Sequence, residues 1–219
     1  MAARITGPER PPRSGRPAQQ LVVLLHGLGA DGNDLLGLAD HWAQELPHAH
    51  FAAPNGPEPC DMAPMGRQWF SLNARDQASM LAGAKKVAPI VNIYLDEKLA
   101  ALKLNPRALA LVGFSQGTMT SLYVAYRRPG GIGAVLGYSG MLLGGERLKD
   151  EAVARVPTFL IHGDEDELIP YEATLQAAQE LGGAEIPTQW HISQGVGHGI
   201  APDGLQFGGR FLAEALAGV

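Results

Sequence analysis

Short runs of apolar residues recur along the chain, and the stretches between them carry apolar residues at helical spacing. The first run, Leu-Val-Val-Leu-Leu at residues 21–25, is rich in branched side chains, which is typical of a strand buried on both faces. The runs that predict strands lie at residues 21–25, 51–53, 109–112, 134–136, 158–161 and 189–192. The segments that predict helices lie at residues 34–46, 80–104, 118–128, 173–181 and 205–216. This alternation predicts an α/β fold in which helices cover both faces of a central parallel sheet.

Two segments show neither pattern. Residues 1–19 are rich in arginine and proline and predict a loosely held N-terminal arm, which leaves residues 20–219 as a single domain. Residues 54–78 form a long aperiodic stretch with apolar residues between its prolines, and such a loop within a compact domain is usually functional. Within the helical segment 80–104, we expect Pro89 to kink or restart the helix.

Composition narrows the class of protein. The chain has 219 residues, with 17 Lys and Arg against 22 Asp and Glu, and this net charge of −5 gives no reason to expect binding to nucleic acid. Its apolar runs are shorter than the roughly 18 residues needed to cross a bilayer, and we expect neither a signal peptide nor integral membrane association. The single cysteine, Cys60, cannot form an intramolecular disulfide, which favours a reducing compartment and therefore the cytoplasm.

A candidate nucleophile lies where a predicted strand meets a predicted helix. Gly-Phe-Ser-Gln-Gly at residues 113–117 follows the strand at 109–112 and has the form G-x-S-x-G. Glycine is needed at both outer positions because the chain reverses too sharply for side chains there. The serine of such a turn is held outward in a strained conformation. In this context the pattern indicates that Ser115 is a nucleophile.

A serine hydroxyl is a poor nucleophile at neutral pH, so it needs a histidine base that a carboxylate orients. His198 lies between glycines in a loop before the last predicted helix and is the candidate base, whereas His191 lies within a predicted strand and is expected to be structural. In this fold the acid lies between the serine and the histidine in the sequence. Four consecutive candidates, which spacing does not separate, follow the strand at 158–161: Asp164, Glu165, Asp166 and Glu167.

The negative charge that develops on the substrate carbonyl oxygen needs two backbone N–H donors, which form the oxyanion hole. One donor belongs to the residue after the nucleophile, Gln116, and the loop after the first buried strand offers Leu28 as the other. The same loop reads G-x-G-x-x-G over residues 27–32, which is also a dinucleotide-binding pattern. That pattern requires an acidic residue about 20 positions further on, and residues 46–57 contain none, which argues against a nucleotide cofactor.

Taken together, the motifs resemble the small carboxylesterase, lysophospholipase and acyl-protein thioesterase family of α/β-hydrolases. They are HGLGADGND at residues 26–34, RQWF at 67–70, GFSQG at 113–117, HGDED at 162–166 and GH at 197–198. The resemblance extends over nearly the whole chain from about Leu21 onward. It implies an α/β-hydrolase fold with six or seven strands, and it places the acid at Asp166 and the oxyanion donors at Leu28 and Gln116. It also implies that the loop over residues 62–70 lines the acyl pocket. At this length we expect no separate lid domain.

The predicted activity is hydrolysis of carboxylic esters through a triad of Ser115, Asp166 and His198, without a metal or a cofactor. The alternatives are a lysophospholipase or acyl-protein thioesterase with the same mechanism and, more remotely, a non-catalytic binding protein on this fold. The expected partner is a small-molecule ester or thioester, and a homodimer is left open.

Four apolar residues in or beside the predicted active loops are candidates for the acyl pocket: Trp69, Phe70, Leu168 and Ile200. An aromatic residue in a loop is as often a packing anchor, so the sequence leaves both roles open. Without a lid domain we expect an open cleft, which favours short to medium acyl chains or a flexible lipid tail.

Overall fold

The structure is a computed structural model and describes residues 4–74 and 76–218. Its strands are β1 (Glu9–Arg10), β2 (Gln20–Leu25), β3 (Ala49–Ala52), β4 (Glu58–Pro59), β5 (Arg67–Gln68), β6 (Leu109–Phe114), β7 (Ala134–Tyr138), β8 (Thr158–Gly163) and β9 (Thr188–Ser193). Its helices are α1 (Gly32–Leu36), α2 (Leu38–Trp42), α3 (Gln77–Leu102), α4 (Gln116–Arg127), α5 (Leu148–Glu151), α6 (Glu172–Gly183) and α7 (Pro202–Ala215). Short 3₁₀ turns lie at Pro106–Ala108 and Gly145–Arg147.

Seven of the strands form one sheet in the order β1-β3-β2-β6-β7-β8-β9, and β4 pairs with β5 separately. Neighbouring strands of the large sheet are parallel except β1, which is antiparallel to β3. All six predicted strands are found. The mostly parallel sheet that the sequence predicts is therefore confirmed.

Helices cover both faces of this sheet, because alternate residues of each central strand point to opposite sides. In β2, Val22 and Leu24 pack in one buried cluster together with residues of α1, α2 and α7. Leu21, Val23 and Leu25 pack in a second cluster with residues of α3, α4 and α6. Strands that are apolar on both faces thus hold the sheet between two helical layers.

Two predicted helices differ from those observed. The segment predicted at 34–46 is divided into α1 and α2 at Gly37, whereas α3 continues through Pro89 without a break. Pro89 is exposed, so the carbonyl oxygen of Lys85, which loses its N–H donor, lies on the solvent side of the helix. Among the described residues, no helix is both long and apolar enough to cross a membrane.

The sequence predicts a loosely held N-terminal arm over residues 1–19. The structure describes residues 4–19 of this arm, and they pack against the domain. Residues 1–3 lie outside the described part of the chain. Strand β1 extends the sheet at β3, and the side chain of Ile5 is 6% exposed within the core. The carboxylate of Glu9 accepts hydrogen bonds from His50 and Lys98. The hydrophobic pattern missed this segment because a two-residue polar strand at a sheet edge has no periodicity to detect.

Candidate active site

The predicted triad residues follow three strands at one edge of the sheet. Ser115 follows β6, Asp166 lies in the loop after β8, and His198 lies in the loop after β9. Strands β6, β7, β8 and β9 are neighbours and parallel, so their carboxyl ends meet at the same edge. The topology therefore brings three residues that are far apart in the sequence to one side of the molecule.

Ser115 occupies a strained turn between β6 and α4. Its backbone has φ 54° and ψ −115°, a conformation that residues other than glycine rarely adopt. A Cβ atom at Gly117 would lie 1.8 Å from the carbonyl oxygen of Leu25, and one at Gly113 would lie 2.4 Å from the carbonyl carbon of Gly117. Both glycines of G-x-S-x-G are therefore required by the close approach of the backbone.

The side chains of Asp166 and His198 are joined by a hydrogen bond in which Nδ1 of the histidine lies 2.7 Å from Oδ2 of the aspartate. An ionised carboxylate only accepts hydrogen bonds, so Nδ1 carries the proton and Nε2 has a free lone pair. The Asp166 carboxyl is fully buried, whereas the imidazole of His198 is 17% exposed. The arrangement leaves His198 able to accept a proton at Nε2.

The carboxylate of Asp166 stays ionised although its surroundings oppose the charge. Burial alone would raise its pKa, but hydrogen bonds from the backbone N–H of Ile169, from His198 and from the backbone N–H of Leu168 outweigh burial. The pKa of Asp166 is therefore held below its ordinary value. A negative charge beside His198 favours the protonated imidazole that proton transfer produces.

The loop that carries His198 lies directly on the end of β8. A Cβ atom at Gly163 would lie 2.2 Å from the carbonyl oxygen of Val196, so only glycine allows this contact. The backbone N–H of Gly195 donates to Oδ1 of Asp164 at 2.7 Å. The loops that carry Asp166 and His198 thus form one connected unit.

Ser139, at the end of β7, fixes the same loop from the other side, and sequence reasoning did not single it out. Its hydroxyl donates to the carbonyl oxygen of Gly199 at 3.2 Å, and its φ of 46° shows a second strained turn at this sheet edge. The imidazole of His198 packs against the ring of Phe114, with 5.0 Å between the ring centroids. Within residues 4–74 and 76–218, no hydrogen bond of 3.5 Å or less joins Ser115 to His198; such contacts are often long without substrate.

Of the two predicted oxyanion donors, Gln116 belongs to the serine turn, and Leu28 lies in a loop that contacts this turn. A Cβ atom at Gly27 would lie 3.6 Å from Cβ of Ser115, which places the loop of Leu28 against the turn. Gln116 is the first residue of α4, and the first N–H groups of a helix have no partner within it. The backbone N–H of Leu28 donates to no backbone or side-chain acceptor in the described part of the chain. Neither N–H group is bonded to a protein acceptor within the described residues.

A buried hydrogen-bond network joins these two donor segments. The Gln116 side chain accepts from the backbone N–H of Trp69 at 2.9 Å and donates to the carbonyl oxygen of Phe70 at 2.7 Å. The indole N–H of Trp69 donates to the carbonyl oxygen of His26 at 2.9 Å. The His26 imidazole donates from Nδ1 to the carbonyl oxygen of Gly27 at 2.7 Å. Trp69 and Phe70, at the end of the loop over residues 62–70, therefore bind both the serine turn and the segment that precedes Leu28.

Comparison with known proteins identifies the family. Residues 12–216 match the phospholipase/carboxylesterase family. The chain belongs to this family. A crystal structure of the esterase PE8 is 40% identical and superposes with a TM-score of 0.93, covering 97% of this chain and 100% of that chain. The fold of this phospholipase/carboxylesterase family member is thus the α/β-hydrolase fold, and the protein is a carboxylic ester hydrolase.

Two curated relatives cover most of the chain. Esterase YpfH of Escherichia coli K12 is 31% identical over 195 residues, which is 88% of this chain and 81% of the relative. Acyl-protein thioesterase 1 of Gibberella zeae is 25% identical over 216 residues, which is 89% of this chain and 90% of the relative. The relatives of this family member are therefore named both as an esterase and as a thioesterase.

The four candidate pocket residues fall into two groups. Trp69 and Phe70 are 1% and 3% exposed and lie in the core, which favours the packing role that the sequence left open. Leu168 is 73% exposed, and Ile200 is half-buried against the other core cluster. Each of these two lies two residues from a predicted triad member. In the described residues, no group of three or more His, Cys, Asp or Glu side chains is arranged to hold a metal ion.

The imidazole of His26 is fully buried. Burial lowers its pKa, and the positive charge of Arg67 acts in the same direction, although the bond to Gly27 and the charges of Asp31 and Asp34 oppose them. The net result is a pKa below the ordinary value of histidine. The sequence analysis did not predict His26 as a site residue. Its position directly before the glycine-rich loop is a sequence feature that could have pointed to it.

Acid is therefore expected to destabilise the protein partly through His26. The unfolded chain binds a proton at this residue as the pH falls below about 6.5, whereas the folded chain resists it. The stabilisation is complete above that pH and is lost as the pH falls towards the folded pKa, with a slope of at most about 1.4 kcal/mol per pH unit. Free energies of unfolding by urea should fall less steeply between neutral and mildly acidic pH in His26→Gln than in the wild type. His41→Gln, at an exposed position on α2, is the matched control and should follow the wild type. Equal slopes in all three proteins would contradict the assignment.

Proposed function

We propose that this enzyme hydrolyses carboxylic esters with short to medium acyl chains through a Ser115, Asp166 and His198 triad. The observation that carries the proposal is the 2.7 Å bond between His198 Nδ1 and Asp166 Oδ2, which leaves Nε2 free at the sheet edge where the strained turn of Ser115 lies. Without a carboxylate on Nδ1, a neutral imidazole has no fixed tautomer and is a weaker base.

In the proposed mechanism, Nε2 of His198 accepts the proton of Ser115 while Oγ attacks the ester carbonyl carbon. The backbone N–H groups of Leu28 and Gln116 donate to the oxygen, which becomes negatively charged in the tetrahedral intermediate. His198 then donates its proton to the departing alcohol, which leaves an acyl group on Ser115. A water molecule attacks that acyl group by the same route and releases the acid. Asp166 stabilises the imidazolium throughout and is never protonated.

The substrate side of the proposal rests on Leu168 and Ile200. These apolar side chains follow Asp166 and His198 by two residues each, and we assign them to the acyl chain. Trp69 and Phe70 are buried in the core, and we assign them a packing role. The second candidate is an acyl-protein thioesterase with the same mechanism, because a protein of that name aligns over 89% of the chain.

We also propose a cellular compartment and a binding partner for this enzyme. The cytoplasm is proposed because the single cysteine, Cys60, is free and buried, so it has no disulfide partner in this chain. The proposed partner is a small-molecule ester or thioester.

A panel of nitrophenyl esters from acetyl to palmitoyl tests the substrate class. We expect kcat/KM to be highest between butyryl and octanoyl, because Leu168 is exposed, Ile200 is half-buried, and the described residues include no separate lid domain that could enclose a longer chain. The thioester and the lysophospholipid with the same acyl group separate the alternative activities. A steady rise in kcat/KM up to palmitoyl would contradict the proposed chain length.

Fluorophosphonate labelling, with the modified peptide located by mass spectrometry, is expected to modify Ser115.

A further inference from the structure

A second histidine contacts the carboxylate of Asp166. His162 lies in β8 with its side chain fully buried, four residues before Asp166. Its Nε2 lies 3.0 Å from Oδ2 of Asp166 and 2.8 Å from the carbonyl oxygen of Ile169. Its Nδ1 lies 2.8 Å from the hydroxyl oxygen of Thr174, at the start of α6. The predicted mechanism assigns no role to this side chain.

The proton position on Nε2 follows from its two neighbours. A carboxylate oxygen and a carbonyl oxygen are both acceptors, so Nε2 carries a proton and donates to both. The hydroxyl group of Thr174 bonds the other ring nitrogen and fixes the rotation of the ring. His162 is therefore a donor aimed at Asp166 from the side of the core.

This donor completes the set of hydrogen bonds around Asp166. Oδ2 accepts from His162 and His198, while Oδ1 accepts from the backbone N–H groups of Leu168 and Ile169, each at 2.9 Å. An ionised carboxylate has about four acceptor positions, so all of them are occupied. With four donors in place, the carboxylate cannot rotate without breaking at least one buried hydrogen bond.

We propose that His162 is a positioning residue for ester hydrolysis, whose Nε2–H holds Oδ2 of Asp166 in line with Nδ1 of His198. The inference deepens the proposed function and rests on it, since it requires that His198 act as the base. The orientation of His198 depends on Oδ2 of Asp166, and His162 is the donor that holds this oxygen from the side of the core. Misplacement of a base by about 1 Å lowers the rate of proton transfer by up to about 100-fold. Because His162 lies behind Asp166 in the core, we expect substrate binding to be little affected.

Three substitutions in the full chain separate this role from simple core packing. Glutamine carries its amide nitrogen close to the position of Nε2, and its two N–H groups can donate to both Asp166 and Ile169. Asparagine is shorter and cannot reach either acceptor, and leucine fills the space without a donor. We expect kcat to fall by about 10- to 100-fold in His162→Asn and His162→Leu, with KM nearly unchanged. We expect His162→Gln to recover most of the wild-type kcat.

Thermal unfolding of each variant distinguishes an effect on the site from an effect on the fold. If His162→Leu does not fold, the comparison of His162→Asn with His162→Gln still tests the donor, because both side chains are polar amides. Wild-type kcat in a folded His162→Asn or His162→Leu would overturn the inference. So would equal losses in the Asn and Gln variants at equal melting temperatures. Ser115→Ala measured in parallel separates the two proposals. If Ser115→Ala is inactive while His162→Leu is fully active, only the role of His162 fails; if Ser115→Ala is fully active, the proposed function itself fails.

Discussion

Replacing Ser115 with alanine is expected to lower kcat on a nitrophenyl ester by at least ~10³-fold. The substitution removes the only atom that bonds to the acyl group, and His198 then has no hydroxyl proton to accept. The residual rate would come from the oxyanion donors and from substrate binding, which persist without the nucleophile. The fold should tolerate the change, because alanine keeps the Cβ atom and removes only a hydroxyl group.

The matched control is Ser121→Ala, six residues further along the chain within α4. Ser121 is fully buried, and its hydroxyl oxygen has no hydrogen-bond partner among the described residues. Its removal should leave kcat close to the wild-type value. Initial rates at saturating substrate, together with melting temperatures for both variants, check the prediction. A loss of less than tenfold in a folded Ser115→Ala would remove this residue from the nucleophile role.

Asp166→Asn is expected to lower kcat by about 10⁴-fold with little change in the fold. The backbone N–H groups of Leu168 and Ile169 both donate to Oδ1, so they will hold the amide oxygen of the asparagine on their side. Its NH₂ group then faces His162 and His198, which both donate in the wild type. His198 must give up its Nδ1 proton to accept from that amide, so Nε2 becomes protonated. An imidazole protonated at Nε2 cannot accept the proton of Ser115.

Asp164→Asn, two residues earlier in the same loop, is the control for this prediction. Oδ1 of Asp164 accepts from the backbone N–H groups of Gly195 and Val196, and an amide oxygen can accept both bonds in the same way. We therefore expect wild-type kcat from Asp164→Asn. The two variants also show which of these carboxylates acts on His198, a choice that sequence spacing alone did not allow. Comparable losses of activity in both would argue that the loop as a whole, and not Asp166, is what His198 requires.

The elements that the sequence predicted best are the central strands. Each is buried on both faces, so its residues form a continuous apolar run that is visible without any partner. The strand β1, the pair β4 and β5 and the short helix α5 were not predicted, because two to four residues are too few for a periodic pattern. The continuity of α3 through Pro89 could not be predicted either, since it depends on which side of the helix faces solvent.

In the candidate active site too, features set by adjacent residues were predicted from the sequence, and contacts between distant residues were not. The turn at Ser115 is determined by five adjacent residues, and its pattern is readable in the sequence. The choice of Asp166 came from the resemblance to a family, because four adjacent carboxylates look alike until the backbone donors around them are known. Ser139 contacts Gly199, and Gln116 contacts Trp69 and Phe70, across distant segments, and no local pattern marks such contacts. His162 lies within the HGDED motif, but only the structure shows that its side chain faces Asp166.

The pairing of β1 with β3 also affects how far the chain can be shortened from its amino end. Deleting the residues through Arg10 would uncover the backbone N–H and C=O groups along β3, and it would withdraw Ile5 from the core. Exposed strand edges of this kind recruit strands from other molecules and promote aggregation. Purification tags are therefore better added ahead of the intact N-terminal segment than substituted for it.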